Sequence, residues 1–362
     1  MQARRENVKK LALVLAAAAL TVGLTVTGAL AKTAKTSAKT DVCFLMPDTK
    51  TSIRWTQYDA PSLVKALKGY KVSYIIENSL GDPQKQKAQA DQCISNGAKV
   101  LIIAPIDSGS ASAIEKSAAA KGVKSIDYDR QVEGGVASIY LSFDNHKVGI
   151  LQGQGVVNGL KANGKYSQHP VVAELNGGRE DANSFLFKGG YDSVLGPLYK
   201  NGTFKKGPDQ FTPGWDNPTG GKIFAQMLVK TGNKIDALAV ANDGLANAAI
   251  VQLKTHKLKP IPMSGQDASP QGIQNIISGW QTMTVFKDVR ILARVAAAAA
   301  VDLLHGKKPK TTGTVVTKGR SKEPAYLIAP QAITKANYKT LFTSGFMKKS
   351  DVCNGDYTKY CK

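Results

Sequence analysis

Catalytic signatures are what this sequence most lacks. Its 362 residues hold four histidines, at 146, 169, 256 and 305, scattered with no paired spacing. No HExxH pair, phosphate-binding GxxxxGK[ST] loop or GxSxG elbow occurs. Gly153-x-Gly155-x-x-x-Gly159 comes near a dinucleotide fingerprint, but it is out of register and falls inside a helical stretch, where close helix packing explains it. Asp127 and Asp129 sit two apart on a strand, so alternation sends both to one side. Arg130 beside them favours ion pairing over acid–base work. These absences remove the common enzyme readings, and neither a metal nor a cofactor is expected.

Aromatic residues are sparse, at 7%, while glycines number 34, a composition that suits an α/β chain with many short turns. Acidic residues are also few: 27 against 48 basic ones, for a net charge of +21. Lysines are nevertheless spread along the whole chain, without a dense block or interleaved aromatics. The charge therefore reads as a basic solvated surface, attracted to an anionic cell envelope, and nucleic-acid binding is not expected.

Cysteines number only four, Cys43, Cys93, Cys353 and Cys361, and their spacing is not that of a zinc site. Their compartment is set by the opening segment. Arg4, Arg5, Lys9 and Lys10 precede an apolar run from Leu11 to Leu30, which ends in Ala29-Leu30-Ala31. This is the layout of a cleaved signal peptide over residues 1–31, with residues 32–40 as a polar leader. An uncleaved anchor is the competing reading, because the run approaches the length of a membrane span. No cysteine stands at the cleavage point to carry a lipid. Export implies a periplasmic or extracellular, oxidising location and disulfides. Four cysteines allow three pairings. Joining Cys353 to Cys361 would staple the tail, and Cys43 would then tie the first strand to the helix after the second.

Strand-length apolar runs alternate with helical stretches. Strands are expected at 41–45, 71–76, 100–104, 123–126 and 138–143, and again at 171–175, 237–240, 260–264 and 282–286. Continuous apolar strands separated by helices indicate parallel sheets covered on both faces. About nine strands suit two doubly wound lobes better than one sheet. Nearly every strand ends in a charged or amide side chain, where open α/β sheets bind ligands. Arg54 and Trp55 follow the first strand, and Asp129 and Arg130 the fourth. Asp144 and Asn145 follow the fifth. Asn242 and Asp243, then Asp267, then Lys287 follow later strands. Some of these, such as Asp144, Asn145 and Asp243, have an ordinary reading as helix caps. Carboxylates that accept, cations and amides that donate, and flat aromatic faces together suit a sugar, whose hydroxyls do both. Trp55 and Trp215, two of three tryptophans, lie in polar loops.

These segments, in this order, resemble the periplasmic sugar-binding proteins of ABC importers, in the ribose- and xylose-binding group and most like the xylose-binding proteins. The matching stretches are Ile53-Arg54-Trp55, Tyr128-Asp129-Arg130, Ser142-Phe143-Asp144-Asn145, Asp181-Ala182-Asn183, Gly214-Trp215, Ala241-Asn242-Asp243, Ser264-Gly265-Gln266-Asp267 and Thr284-Val285-Phe286-Lys287. Ile53 replaces an acid usual in the group, and the four cysteines are not typical of it.

The resemblance implies two Rossmann-like lobes joined by a three-crossing hinge, the type I periplasmic binding protein fold. Residues 41–143 and 287–314 would form the amino-terminal lobe, and 144–286 and 315–362 the carboxy-terminal lobe. It implies a sugar held by Arg54, Trp55, Asp129, Arg130, Asn183, Trp215, Asn242, Asp267 and Lys287. Asn183 is named by the resemblance alone. The expected protein is a monomeric, non-enzymatic solute-binding protein that captures a monosaccharide, xylose or a similar aldose, and delivers it to an ABC transporter permease. The alternative is a sensory protein presenting its sugar to a chemoreceptor or receptor kinase.

Overall fold

The computed structural model describes residues 40–361. The expected signal segment and nearly all of its leader lie outside these residues. The first lobe begins with five strands: β1 (Val42–Met46), β2 (Tyr74–Asn78), β3 (Val100–Ile103), β4 (Lys124–Tyr128) and β5 (Ile139–Phe143). Between them run α1 (Ala60–Gly69), α2 (Pro83–Ser95) and α3 (Ser108–Ala120). β1 pairs in parallel with β2 and β3, β3 with β4, and β4 with β5. Every residue of β1, β3 and β5 is buried, so these strands read as continuous apolar runs and not as alternating ones. Burying each such Val, Leu, Ile or Phe contributes about 1.5–3 kcal/mol.

The second lobe follows. It contains α4 (Asn145–Ala162), β6 (Val171–Asn176), α5 (Ala182–Lys200), β7 (Lys205–Phe211), α6 (Asn217–Lys230), β8 (Ala237–Val240), α7 (Asp243–Thr255), α8 (Pro270–Ser278) and β9 (Met283–Phe286). β6 lies between β7 and β8, all parallel, and a parallel bridge from Leu238 to Met263 extends the sheet. The glycines of α4 serve packing, as expected. A Cβ on Gly153 would stand 2.9 Å from the Val194 Cβ of α5, and one on Gly155 would strike Met283 of β9.

Helix starts account for part of the strand-end polarity. Asp107, Asp144, Asp181, Asp216, Asn242 and Asp288 each accept a backbone N–H in the first turn of the helix they precede. Asp107 and Asp144 have this as their evident role.

The chain then returns to the first lobe through α9 (Val289–Leu304), which packs beneath β3, β4 and β5. Next come β10 (Gly313–Thr317), β11 (Arg320–Ile328) and β12 (Gln331–Thr334). Here the expected boundary is corrected. β11 pairs in parallel with β5 and β10 pairs antiparallel to β11, so residues 315–328 belong to the first sheet, whose order is β10-β11-β5-β4-β3-β1-β2. The third crossing falls between β11 and β12, and β12 pairs with β9. A tight Lys318-Gly319 turn, with Gly319 at φ 76°, folds β10 back onto β11. The tail touches both lobes. Phe346 stacks on Tyr58 of the first at 4.5 Å, and the Val352 carbonyl accepts Gln274 Nε2 of α8 at 3.0 Å. Cys43 bonds Cys93, fixing β1 to α2, and Cys353 bonds Cys361 within the tail.

Asp127 does not join Asp129 at the cleft. It points into the first lobe, where its Oδ2 accepts the Val132 N–H at 2.9 Å. Glu115 Oε2 accepts the Val136 N–H at 2.6 Å. The other oxygens, Asp127 Oδ1 and Glu115 Oε1, have no further donor among the described residues, and the two carboxyls meet each other. Burial, with Glu115 and then Glu323 adding negative charge, pushes Asp127 well above the ordinary carboxyl range. A folded-state pKa above the unfolded one gives stability that is complete below the unfolded pKa and is lost as pH rises toward the folded value. In Asp127→Asn a neutral amide takes the place of the carboxyl that burial and Glu115 disfavour as an anion. The variant's thermal midpoint should therefore gain on the wild type as pH rises above the ordinary carboxyl range; parallel melting curves would refute the raised Asp127 pKa.

Candidate functional site

All nine expected residues line one cavity of about 30 Å³ between the lobes. Each arrives from the carboxyl end of a strand or the start of a helix. Arg54 and Trp55 follow β1, Asp129 and Arg130 follow β4, and Asn183 opens α5. Trp215 follows β7, Asn242 follows β8, Asp267 follows the Met263 bridge, and Lys287 follows β9 at a crossing. Three of them hold left-handed backbone: Asp129 (φ 66°), Trp215 (φ 54°) and Asp267 (φ 90°). Such conformations cost about 1–3 kcal/mol each and persist where the surroundings impose them.

The charges form a chain. Arg54 is buried and grips Asp59 with two bonds, Nε to Oδ2 at 2.9 Å and Nη2 to Oδ1 at 2.8 Å, while its Nη1 donates to Asp129 Oδ1 at 2.6 Å. Tyr128 Oη also donates to Asp59, at 2.6 Å. Lys287 Nζ lies 4.0 Å from Asp129 Oδ1 and 3.3 Å from Asp267 Oδ1, the latter an ion pair without hydrogen-bond alignment. Burial alone would raise the Asp129 pKa, but Arg54 and Lys287 outweigh it and hold the carboxyl below its usual range. Burial likewise disfavours the Arg54 cation, and Asp129 and Asp59 reverse that effect, so Arg54 stays charged.

Arg130 reaches across the cleft, with its Nε 3.0 Å from Asp181 Oδ2, and its Nη1 donates to the Pro105 carbonyl at 3.1 Å. Asn183 Nδ2 donates to the Asp129 carbonyl at 3.0 Å, and its Oδ1 accepts from Asn145 Nδ2 at 2.9 Å. Asn242 uses Oδ1 to cap α7 and Nδ2 to reach the Thr51 carbonyl at 3.3 Å. Ser52 Oγ donates to Asp267 Oδ2 at 3.0 Å. The two tryptophans are almost fully buried. The Arg54 and Arg130 guanidiniums lie 4.6 and 5.5 Å from the Trp55 ring centre, whereas Trp215 Nε1 has no partner among the described residues.

Sequence reasoning missed Thr51, Ser52 and Phe187 on the cavity wall, and Asp59 behind it. Asp181 and Gln266, each within a stretch that matches the family, also line the cavity. Asp181 had a readable signal, an Asp before a helix, but that signal reads as a cap, and its Oδ1 does cap α5 while Oδ2 takes Arg130. Phe187 carried none, being one apolar residue in a helix. The cavity thus holds carboxylates already bonded to cations and offers no unpaired nucleophile. Its polar groups, held in place by one another, present hydrogen-bond donors and acceptors to the cavity.

Residues 42–308 match the model of the periplasmic binding protein domain. The chain is 35% identical, over 83% of its length and 88% of the relative, to the D-xylose-binding periplasmic protein of Escherichia coli. It is 34% identical, over 93% and 97%, to the multiple sugar-binding periplasmic receptor ChvE of Rhizobium radiobacter. The solute-binding protein of a carbohydrate transporter from Chloroflexus aurantiacus, solved with D-glucose, superposes with a TM-score of 0.78 at 30% identity, over 86% of this chain and 97% of that one. These relatives are binding proteins, not enzymes. With two crossing-linked lobes, a cleft at the strand ends and relatives of matching length, the chain belongs to the periplasmic binding protein family.

Proposed function

We propose that the protein captures a neutral monosaccharide, xylose or a similar aldose, by closing its lobes around it, and that the closed form delivers the sugar to an ABC permease from the periplasmic or extracellular side. The observation that carries this reading is the charge balance of the cavity. Three cations, Arg54, Arg130 and Lys287, face four carboxylates, Asp59, Asp129, Asp181 and Asp267. A site built for a phosphate or carboxylate ligand would carry surplus positive charge. This one offers fixed acceptors and donors without a surplus cation, which suits hydroxyl groups, and indole faces suit the C–H faces of a ring. Relatives that bind xylose, several sugars or glucose support the class.

The cavity is smaller than a pyranose ring, so the lobes must part to admit one and the side chains must settle around it. A sugar favours closure only through contacts that the closed state adds. Titration calorimetry with xylose, glucose, arabinose, ribose and galactose tests the reading. At least one should bind in the micromolar range or tighter, with a negative heat-capacity change. If none binds to folded protein, the sugar assignment is wrong.

A further inference from the structure

Beside the cavity lies a groove of about 590 Å³, a size typical of small-molecule sites. Thr51, Ser52, Asn242 and Asp267 line both spaces. At this border the Asn242 amide bonds the Thr51 carbonyl, and Ser52 bonds Asp267. We propose that the groove is a second sugar subsite, so that the protein also accepts a neutral disaccharide with one ring in the cavity and the other in the groove. The proposal rests on the sugar reading above and extends it.

The chemistry of the walls carries it. The second lobe supplies amide side chains from three helices: Asn217 of α6, Asn247 and Gln252 of α7, and Gln271 of α8. Each amide both donates and accepts, as a hydroxyl does. Asn217 Oδ1 is buried and has no donor among the described residues. Ile53 and Val251 give apolar surface against which the C–H face of a ring can lie, and both are exposed. Formal charge adds little. Lys50 stands at the rim, and Asp243 is bonded by Gln281 at 2.8 Å and by the Ser269 N–H at 2.9 Å. Burial pushes Asp243 up to about 7, so it adds only part of a negative charge at neutral pH.

A groove for an anion would need more cations, and one for a peptide would be more apolar. Because Lys50, Ser52 and Ile53 come from the first lobe and the amides from the second, a second ring would bridge the lobes and add to closure. Its linkage would pass where the Asn242–Thr51 bond now lies, and a glycosidic or hydroxyl oxygen can replace the Thr51 carbonyl as acceptor.

Calorimetry on the mature protein tests this. The probes are xylose and glucose, with xylobiose, cellobiose, maltose and lactose as neutral disaccharides. At least one disaccharide should bind within tenfold of its component monosaccharide or more tightly. Val251→Trp, which fills the groove from an exposed position, should weaken that disaccharide at least tenfold and leave the monosaccharide unchanged. The double variant Asn217→Ala/Asn247→Ala should weaken it at least fivefold with the same selectivity. The subsite is refuted if a monosaccharide binds and no disaccharide does, or if the double variant binds both ligands like the wild type. Equal losses for both ligands in both variants would also refute it. Loss of every sugar in the wild type would instead overturn the monosaccharide reading itself.

Discussion

Asp267→Ala should bind sugar about 2–5 kcal/mol more weakly than the wild type, roughly 30- to 4,500-fold. Two neighbours explain the size. Lys287 is buried, and Asp267 is its nearer carboxylate at 3.3 Å, with Asp129 at 4.0 Å. Ser52 loses its acceptor at the same time. Alanine also inherits φ 90°, a conformation that Asn and Asp tolerate better, so stability should fall as well. Asp267→Asn separates the two effects: it keeps the turn and an oxygen for Ser52 but removes the charge facing Lys287. Its melting temperature should stay near that of the wild type while its affinity falls. If Asp267→Ala binds every tested sugar normally, the cavity is not the binding site, whatever the family.

The largest stability effect should come from the first disulfide. Cys43 and Cys93 are buried and close a loop with a sequence separation of 50. Loop-closure entropy puts the loss from Cys43→Ala/Cys93→Ala at roughly 4 kcal/mol, to which two small buried cavities add. The tail bond closes a separation of only 8, and the same relation gives roughly 2.5 kcal/mol for it. Urea unfolding of the two double variants would rank them. If the tail variant is the less stable of the two, the entropic account fails here.

How far the sequence could be read follows from what each residue does. Buried parallel strands such as β1 and β3 announce themselves as unbroken apolar runs, and their ends then point to the cleft. β7, Lys-Lys-Gly-Pro-Asp-Gln-Phe, has no such run. It is an edge strand, half open to solvent, where Pro208 is tolerated because one side of the strand has no partner. β11 and most of β10 join the first sheet instead of the lobe expected for residues 315–362, because these largely exposed or half-buried strands carry no apolar run that marks the sheet receiving them. Among the cleft residues, Asp129 and Lys287 stand directly at strand ends, while Arg54 lies beyond β1 at the start of a helical turn. Asn183 needed the family resemblance, since an Asn in the first turn of a helix is ordinary. Asp59 was invisible. It lies a full helical turn beyond Arg54, behind the cavity, where it holds that guanidinium and accepts the Tyr128 hydroxyl.

The bonds that cross the cleft have a consequence for how affinity can be set. Arg130 to Asp181, the Ser108 N–H to the Glu180 carbonyl at 3.0 Å, and Asn183 to the Asp129 carbonyl join the lobes through protein groups alone. They give the shut molecule a free energy of its own, and with it a share of the unliganded population. The apparent dissociation constant is the intrinsic one divided by that share. If one molecule in a hundred is shut before sugar arrives, observed affinity is a hundredfold below the pocket's own, and strengthening the crossing bonds recovers it. Residues that never touch the sugar can thus move the working range of this protein over two decades. Selection for scarce or abundant sugar can act at Ser108, which meets Glu180 and Ala182 across the cleft, while leaving the ring contacts, and hence the choice of sugar, as they are.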